Sequence, residues 1–247
     1  MTIYYSPLYI KKQGESFPAF CFMKEDSLIE LIDITKIYHQ GDNRVVALDH
    51  LDLNVSKGEF LAIMGKSGCG KSTLINILGG LDTPDQGQVL INGEDLARMD
   101  EHRLTLFRRD QVGIIFQFFN LLPILSLEEN VALPHLLKGS PNTLQARLDQ
   151  LLREMDLYQR KNHKPNELSG GEMQRAAICR ALINDPGIIL ADEPTGNLDT
   201  SSGRQVLEIL RRLKDEQGKT VLLVTHSPEG AAMADRVLKM KDGKLLP

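Results

Sequence analysis

The chain has 247 residues, a formal net charge of −4 at pH 7 and 42% hydrophobic residues, which is typical of a soluble globular protein with a real core. This length allows one large or two modest domains, and the mildly acidic balance excludes a general affinity for nucleic acid. No apolar run approaches the roughly 20 residues that a membrane-spanning helix needs, so attachment to a membrane would require a partner. Cys21, Cys69 and Cys179 have neither zinc-site nor paired spacing and predict free thiols in a reducing cytosol.

Residues 1–26 differ in composition from the rest of the chain. They are rich in Phe and Tyr, interrupted by Pro7 and Pro18. A secretory signal is not predicted, because no basic start leads into an unbroken apolar segment. We interpret the segment as an extension outside the functional domain, with a true start at Met23 as one hypothesis and an aromatic partner-binding arm as the alternative.

An antiparallel β subdomain is predicted in the region that follows. Its strands are expected at 28–34, 45–48, 51–55 and 89–91. Ser56-Lys57-Gly58 predicts a turn, and Asn92-Gly93 is a hairpin signal. We expect these strands to lie against the strand that carries the next motif.

The stretch from Gly65 to Thr73 reads Gly-Lys-Ser-Gly-Cys-Gly-Lys-Ser-Thr. An apolar run at 60–64 with the make-up of a buried strand precedes it, and a helix is expected from Leu74. Strand, glycine loop and helix are the context in which this pattern predicts a phosphate-binding loop. A chance glycine turn is the alternative, which the agreement of loop, lysine, hydroxyl and flanking elements disfavours.

Each residue type in this loop suits a triphosphate. Glycines let the backbone wrap closely and turn its N–H groups inward, and the helix start adds unpaired N–H groups and a positive dipole end. Lys71 supplies a charge to the β- and γ-phosphates, and Ser72 offers a hydroxyl to Mg²⁺. The predicted nucleotide-binding loop residues are Gly65, Lys66, Ser67, Gly68, Cys69, Gly70, Lys71, Ser72 and Thr73.

Helical patterns dominate the middle of the chain. Residues 100–109 predict a helix and 112–116 a short buried strand, after which helices prevail from about 125 to 182. Residues 144–155 keep one apolar face between charged positions. We therefore expect an inserted α-helical subdomain at about 120–183.

The strand–helix alternation resumes near the carboxyl terminus. Residues 187–191 predict a buried strand, 201–216 a helix and 220–224 another strand. This alternation predicts a parallel sheet with helices on both faces.

Two carboxylates, Asp192 and Glu193, end the strand predicted at 187–191. Asp192 is placed to hold Mg²⁺, usually through a water. Glu193 is the candidate general base for an attacking water. Both could instead be solvated turn residues, but the phosphate loop upstream favours the catalytic interpretation.

A second glycine-bearing helix start lies at 168–175, Leu-Ser-Gly-Gly-Glu-Met-Gln-Arg. Ser169 is a good N-cap and Glu172 follows three residues later, which predicts a capping box. Taken alone, the stretch is a helix beginning. Its Ser-Gly-Gly also suits a phosphate, and because one chain already has its phosphate loop, this second site would serve a neighbouring copy.

Together these motifs resemble the ATP-binding-cassette ATPases, and the resemblance covers nearly everything from Leu28 to Leu246. The stretch at 168–174 is the most specific part, since other phosphate-loop enzymes lack it. The resemblance implies an α/β P-loop NTPase fold with a mixed sheet core, an antiparallel β subdomain and an inserted α-helical subdomain, in a domain spanning 27–247.

The resemblance also implies roles for single residues. Tyr38 would stack on adenine, Gln117 would touch Mg²⁺ and the attacking water, and His226 would contact the γ-phosphate; from the residues alone, Tyr38 could be an exposed strand end and His226 structural. Asn197-Leu198-Asp199 resembles a loop that crosses a dimer. The implied catalytic set is Lys71, Gln117, Glu193 and His226, the metal set is Ser72, Gln117 and Asp192, and the signature set is Ser169, Gly170, Gly171 and Glu172.

A head-to-tail dimer with two sandwiched ATP molecules follows from the same resemblance. Each ATP would meet Lys71 and Glu193 of one chain and Ser169 and Gly171 of the other. The implied cofactors are ATP and Mg²⁺, and the implied partners are a second copy and integral-membrane permease subunits, with no nucleic acid. The expected location is the cytoplasmic face of the inner membrane, peripheral through the permease.

A closer resemblance is to the lipoprotein-release and macrolide-efflux branch, carried by the motifs at 38–42, 116–123 and 128–131. In that branch, residues 118–134 would help receive the permease; the alternative is that they pack in the core.

Two other function classes stay open at this point. A cassette protein of DNA repair or ribosome rescue usually carries two cassettes in one chain, and a phosphate-loop kinase or GTPase lacks the stretch at 168–174.

Overall fold

Two β-sheets organise residues 27–41, 43–138 and 144–246, which the computed structural model describes; the predicted extension at 1–26 lies outside them. The strands are β1 (Ser27–Gln40), β2 (Asn43–Ser56), β3 (Phe60–Gly65), β4 (Gln86–Ile91), β5 (Glu94–Asp95), β6 (Val112–Ile115), β7 (Ile188–Asp192), β8 (Thr220–Thr225), β9 (Arg236–Lys241) and β10 (Lys244–Leu246). The helices are α1 (Lys71–Leu78), α2 (Glu101–Asp110), α3 (Leu127–Leu136), α4 (Leu144–Glu154), α5 (Gly170–Leu182), α6 (Thr200–Gln217) and α7 (Pro228–Ala232).

The first sheet is four-stranded and antiparallel, in the order β2-β1-β4-β5. The two strands predicted at 45–48 and 51–55 are wrong as separate elements, because they are one strand, β2. Asp33 and His50 both have positive φ, 54° and 48°, and the β1–β2 register shifts beside Asp33. The polar residues between the predicted strands are therefore absorbed by bulges, which bend paired strands without ending them.

The second sheet has the order β10-β9-β3-β8-β7-β6, in which β9, β3, β8, β7 and β6 are parallel and β10 is antiparallel at the edge. The predicted parallel sheet is thus confirmed, and the sheet as a whole is mixed. The closing hairpin β9–β10 was not predicted; its turn contains Asp242 and Gly243, both with positive φ.

Alternate residues of the central strands face two separate cores. Leu190 of β7 and Leu222 of β8 pack with α1 and the antiparallel sheet. Ile189 of β7 and Leu223 of β8 pack with the helices α3 to α6. Strand side chains alternate between faces, so the buried strands must be apolar on both sides.

Some predicted boundaries move by a few residues. α1 begins at Lys71, not at Leu74, because the left-handed Gly70 already serves as its N-cap. β6 ends at Ile115, one residue before Phe116. Within the described ranges, no helix has the length and apolar character that crossing a membrane requires.

Candidate functional site

The predicted site residues follow four neighbouring parallel strands. The phosphate loop follows β3, His226 follows β8, Glu193 follows β7 and Gln117 comes soon after β6. These strands are adjacent in the order β3-β8-β7-β6. Since carboxyl ends of parallel strands share one edge, the sheet order brings together residues that lie far apart in sequence.

The phosphate loop depends on Gly70 at the start of α1. Gly70 has φ 107°, and a Cβ at this position would lie 2.3 Å from the carbonyl oxygen of Ala47. Only a glycine tolerates both the positive φ and the close strand β2. In the part of the chain that the structure describes, no side chain caps α1, so its first N–H groups remain available to an anion.

Lys71 is held inside this loop by backbone oxygens. Its ammonium donates to the carbonyls of Gly65 at 2.8 Å and Lys66 at 3.0 Å, and it lies 3.3 Å from Oε1 of Glu193. The side chain is 6% exposed. A buried ammonium needs such partners, and here they fix its position at the mouth of α1.

Glu193 connects the phosphate loop to the next strand end. Its Oε2 accepts the backbone N–H of His226 at 3.2 Å and lies 2.9 Å from Nδ1 of the same residue. The backbone of Glu193 has φ 45°, and its N–H donates to the carbonyl of Val224. A positive φ in a non-glycine residue is a strain that surrounding contacts must hold, and it turns this carboxylate into the cavity.

Asp192 points elsewhere, beneath Ser72. Burial and then the nearby charge of Glu193 raise the pKa of its carboxyl group, while the neighbouring Ser72 side chain acts in the opposite direction. Its Oδ1 is buried and has no hydrogen-bond partner among the described residues. A carboxylate oxygen without a partner, beside a serine hydroxyl, fits the oxygen ligands that Mg²⁺ prefers.

A cavity of about 320 Å³ joins these groups. Its lining includes Tyr38, Gln117, Glu193 and His226, together with the phosphate-loop residues Ser67, Gly68, Gly70, Lys71, Ser72 and Thr73. Gly65, Lys66 and Cys69, also predicted to bind nucleotide, instead line an adjoining cavity on the other side of the loop. Asp192 is not among the lining residues.

Sequence reasoning missed three lining residues, Val45, Val46 and Ala47 of β2. Val45 and Val46 are 45% and 42% exposed, although they are apolar. Their residue types signal a strand, and only the approach of β2 to Gly70 makes them part of the site.

Gln117 is placed by the loop after Glu193. A Cβ on Gly196 would lie 3.0 Å from Nε2 of Gln117, so the glycine leaves room for this amide. Asn197 donates from Nδ2 to the carbonyl of Gln117 at 3.0 Å. The loops after β6 and β7 are thereby joined beside the cavity.

The start of α5 lies apart from the cavity. The predicted capping box is present: the Ser169 hydroxyl accepts the N–H of Glu172, and the Glu172 carboxylate accepts the N–H of Ser169. Ser169 is exposed. Among the described residues that line the cavity, none comes from 168–172.

The predicted dimer loop is next to this helix start. Asp199 caps α6, accepting the N–H of Ser202 at 2.9 Å and its hydroxyl at 2.7 Å. A Cβ on Gly171 would lie 2.7 Å from Oγ of Ser202. The buried glycine of α5 therefore lets the starts of α5 and α6 pack closely, with the N-cap residues Ser169 and Asp199 both exposed.

Comparison with known proteins agrees with this geometry. Residues 48–196 match the family model described as ABC transporter. An ABC transporter ATP-binding protein of Methanocaldococcus jannaschii is 45% identical over 223 residues, which cover 88% of this chain and 95% of the relative. The lipoprotein-releasing system ATP-binding protein LolD of Shewanella oneidensis is 49% identical, over 90% of this chain and 96% of the relative.

Two further likenesses extend the comparison. The macrolide export ATP-binding/permease protein MacB of Neisseria meningitidis serogroup B is 48% identical over 89% of this chain, which spans only 34% of MacB. A solved dimeric structure of the Methanocaldococcus cassette, described as a post-hydrolysis state bound to ADP and Pi, superposes with a TM-score of 0.83 at 43% identity. It covers 89% of this chain and 97% of that one.

Proposed function

This chain belongs to the ABC transporter family and is an ATP-binding, ATP-hydrolysing cassette of it, and from this premise we propose that two copies close around two ATP molecules and drive a membrane permease. The permease is of the lipoprotein-release or macrolide-export type. The complex places this chain at the cytoplasmic face of the membrane. LolD and MacB among the relatives support this branch.

One observation supports the proposed dimer. The phosphate cavity is built from one edge of the sheet, whereas Ser169 and Gly171 lie outside its lining; Ser169 and Asp199 are exposed, and Gly171 is buried against Ser202. A second copy related by a two-fold axis brings its own α5 start over the open side of the cavity, and the axis makes both sites equivalent. The dimeric solved relative supports this arrangement.

Each residue at the cavity has a proposed task. The α1 start and Lys71 bind the phosphates, and Tyr38 supports the base. Glu193 takes a proton from the attacking water, because its carboxylate faces the cavity beside Lys71. His226, tied to Glu193, reaches toward the terminal phosphate.

The metal ligands proposed are Ser72, Asp192 and Gln117. The unpartnered Oδ1 of Asp192 and its contact with Ser72 support them. A bound Mg²⁺ supplies positive charge that offsets the charge of the phosphates. The chain's own part is to keep these oxygens in place and to hold the Glu193 carboxylate at the cavity through Lys71 and His226.

An exposed apolar surface after Gln117 supports the permease contact. Phe118 is 69% exposed, Ile124 78% and Leu122 44%. An exposed apolar patch beside a functional loop is typical of a protein contact. The Arg180 guanidinium holds this loop to α5 through the carbonyls of Phe119 and Asn120.

The test of the dimer uses Glu193→Gln, which binds ATP but hydrolyses it slowly. Light scattering should give a dimer with ATP and Mg²⁺ and a monomer with ADP. Adding Ser169→Arg should abolish the dimer while calorimetry gives unchanged ATP affinity. A Glu193→Gln protein that stays monomeric with ATP at high concentration and beside its permease contradicts the proposal.

The test of the partner is co-purification of the full chain from its native membranes. We expect a permease to be retained by the parent and lost from the double variant Phe118→Asp, Ile124→Asp. Ribosomes or DNA recovered in place of a permease would move the chain to another branch of the family. Leu81→Asp is a surface control. Leu81 is 51% exposed and lies outside this patch, so the variant should retain the permease.

A further inference from the structure

The Tyr38 side chain is anchored at its far end. Its hydroxyl donates to Oδ2 of Asp82 at 2.7 Å. The other oxygen of Asp82 accepts the Lys36 ammonium at 2.6 Å, and Lys36 also donates to the carbonyl of Thr83 at 2.8 Å. A phenol and an ammonium thus share one carboxylate, and the ammonium also lies 5.2 Å from the centroid of the Tyr38 ring.

This chain of contacts is partly removed from water. The Lys36 side chain is 10% exposed and that of Asp82 26%. Burial favours a higher pKa for Asp82, but the hydrogen bonds from Lys36 and Tyr38 outweigh it and lower the pKa below its usual value. Charge-assisted hydrogen bonds of this kind are shorter and stronger than neutral ones.

Asp82 lies in the loop that follows α1, the helix after the phosphate loop, whereas Tyr38 lies in β1. The N–H groups of Leu81 and Asp82 both donate to the carbonyl of Asn76 in α1, at 2.8 and 3.2 Å. Near the start of α1, Thr73 lines the same cavity as Tyr38. The ring is therefore fixed relative to α1, the helix whose start faces the phosphates.

We propose that Asp82, braced by Lys36, is a positioning residue that holds the Tyr38 ring at a set distance from the phosphate loop. An adenine nucleotide then meets a platform for its base that is already fixed relative to the site for its phosphates. The inference rests on the proposed contact of Tyr38 with adenine. A ring that is fixed before binding does not have to be ordered when the nucleotide binds. Loss of the Asp82 contact should therefore weaken the affinity for the base and leave phosphate binding unchanged.

Calorimetry with two probes tests this, namely MgADP, which has a base, and magnesium pyrophosphate, which has none. Asp82→Ala and Tyr38→Phe should each weaken MgADP about 3- to 10-fold, as the loss of one hydrogen bond predicts. Pyrophosphate affinity should stay at the parent value. The double variant should bind MgADP no more weakly than either single variant, because both changes remove the same contact.

Matched controls use the same residue types, an aspartate of β2 and a tyrosine outside both sheets. Asp52→Ala removes a 2.8 Å hydrogen bond to the N–H of Asp33 in β1 without touching Tyr38. Tyr158→Phe removes a phenol hydroxyl that is not in the cavity. Both should bind MgADP as the parent does.

The outcomes separate the inference from the function on which it rests. If Tyr38→Ala binds MgADP as tightly as the parent, the adenine contact itself is wrong, and this inference is wrong with it. If Tyr38→Ala weakens MgADP but Tyr38→Phe and Asp82→Ala do not, only the positioning role is wrong. Equal losses for MgADP and pyrophosphate in Asp82→Ala also overturn it, because they indicate a general disturbance of α1.

Discussion

The starts of α1 and α5 are both glycine-bearing helix N-termini, but they are built in opposite ways. α1 has Gly70 as its N-cap with φ 107°, and no described side chain caps it. α5 has Ser169 as its N-cap, and a complete capping box with Glu172 satisfies its end from within the chain. The first start faces a cavity of about 320 Å³, whereas the second is exposed outside that cavity.

The difference teaches how one chain can carry two unequal halves of a site. The uncapped end of α1 keeps its N–H donors for a ligand and depends on close packing against β2 for its shape. The capped end of α5 has its first donors satisfied within the chain, and in the proposed dimer it would be covered by a second copy. Replacing residues at each helix start should show whether that start acts within one chain, on stability and ATP binding, or between two chains, on dimerisation.

The largest effect is expected at Glu193, on the α1 side. Glu193→Gln should reduce ATP hydrolysis about 10²- to 10⁴-fold, because the amide cannot accept the proton of the attacking water. Steady-state phosphate release measures the rate. Glu229→Gln, at an exposed position beyond His226, is the control and should keep the parent rate. Parent turnover in Glu193→Gln shows that another group is the base.

The next effect is a loss of ATP affinity in Lys71→Ala. Removing a charged donor from the phosphates should weaken ATP about 10- to 150-fold, and calorimetry with Mg²⁺ measures this. Lys66→Ala removes an exposed lysine of the same loop whose backbone carbonyl, not its side chain, meets Lys71, so a much smaller loss is expected. Unchanged affinity in Lys71→Ala contradicts the phosphate-loop assignment.

Alanine at the two helix starts sharpens the comparison directly. Gly70→Ala combines a positive φ with a clash against the carbonyl of Ala47, so its unfolding free energy should fall by about 1–3 kcal/mol. Gly170→Ala meets its first neighbour, Leu198, at 3.5 Å and should leave the unfolding free energy near that of the parent. Urea unfolding of both variants is the measurement; equal losses would mean that the two starts are equally constrained.

The smallest expected effect is the loss of a capping serine, and it distinguishes a role in helix stability from a role in dimerisation. Ser126 caps α3 with Glu129 in a capping box whose hydrogen bonds, 3.2 and 2.7 Å, match the 3.3 and 2.8 Å of Ser169 and Glu172. Ser126→Ala and Ser169→Ala should each lower the unfolding free energy by about 0.5–2 kcal/mol.

In the Glu193→Gln background, only Ser169→Ala should also weaken the ATP-dependent dimer, because Ser126 caps a different helix. Analytical ultracentrifugation over a concentration series gives the two dimer affinities. If both serine variants dimerise as the background does, Ser169 only caps α5 and does not contribute to the dimer.

Much of the fold was predictable from local pattern. The buried strands, the helix from Asp100, the capping box at Ser169 and the parallel sheet were all predicted and are confirmed. Strand β2 was divided wrongly, since its polar Asp49 and His50 resemble a turn in sequence. A bulge and a turn use the same residue types, and only the partner strand decides between them.

The candidate site was predictable where a residue's role follows from its neighbours in sequence. That holds for the phosphate loop, whose glycines, lysine and hydroxyl lie on one strand–loop–helix unit. It does not hold for Val45, Val46 or Asp82, whose residue types are ordinary for a strand and a loop. The proposed roles of the site residues stay predictions until the variants above are measured.

By itself, the sequence determined most of the segments that become strands and helices, because periodicity, glycine and capping side chains act over a few residues. The unbroken strand β2 and the hairpin β9–β10 were the exceptions. The tertiary structure alone decided which ends meet: Glu193 with His226 across β7 and β8, and Tyr38 of β1 with Asp82 of the loop after α1. The reason is that such contacts depend on strand order and on how sheets pack, and neither leaves a local pattern in the chain. The same reason leaves Ser169 outside the lining of the cavity that the phosphate loop forms, although both helix starts look alike in sequence.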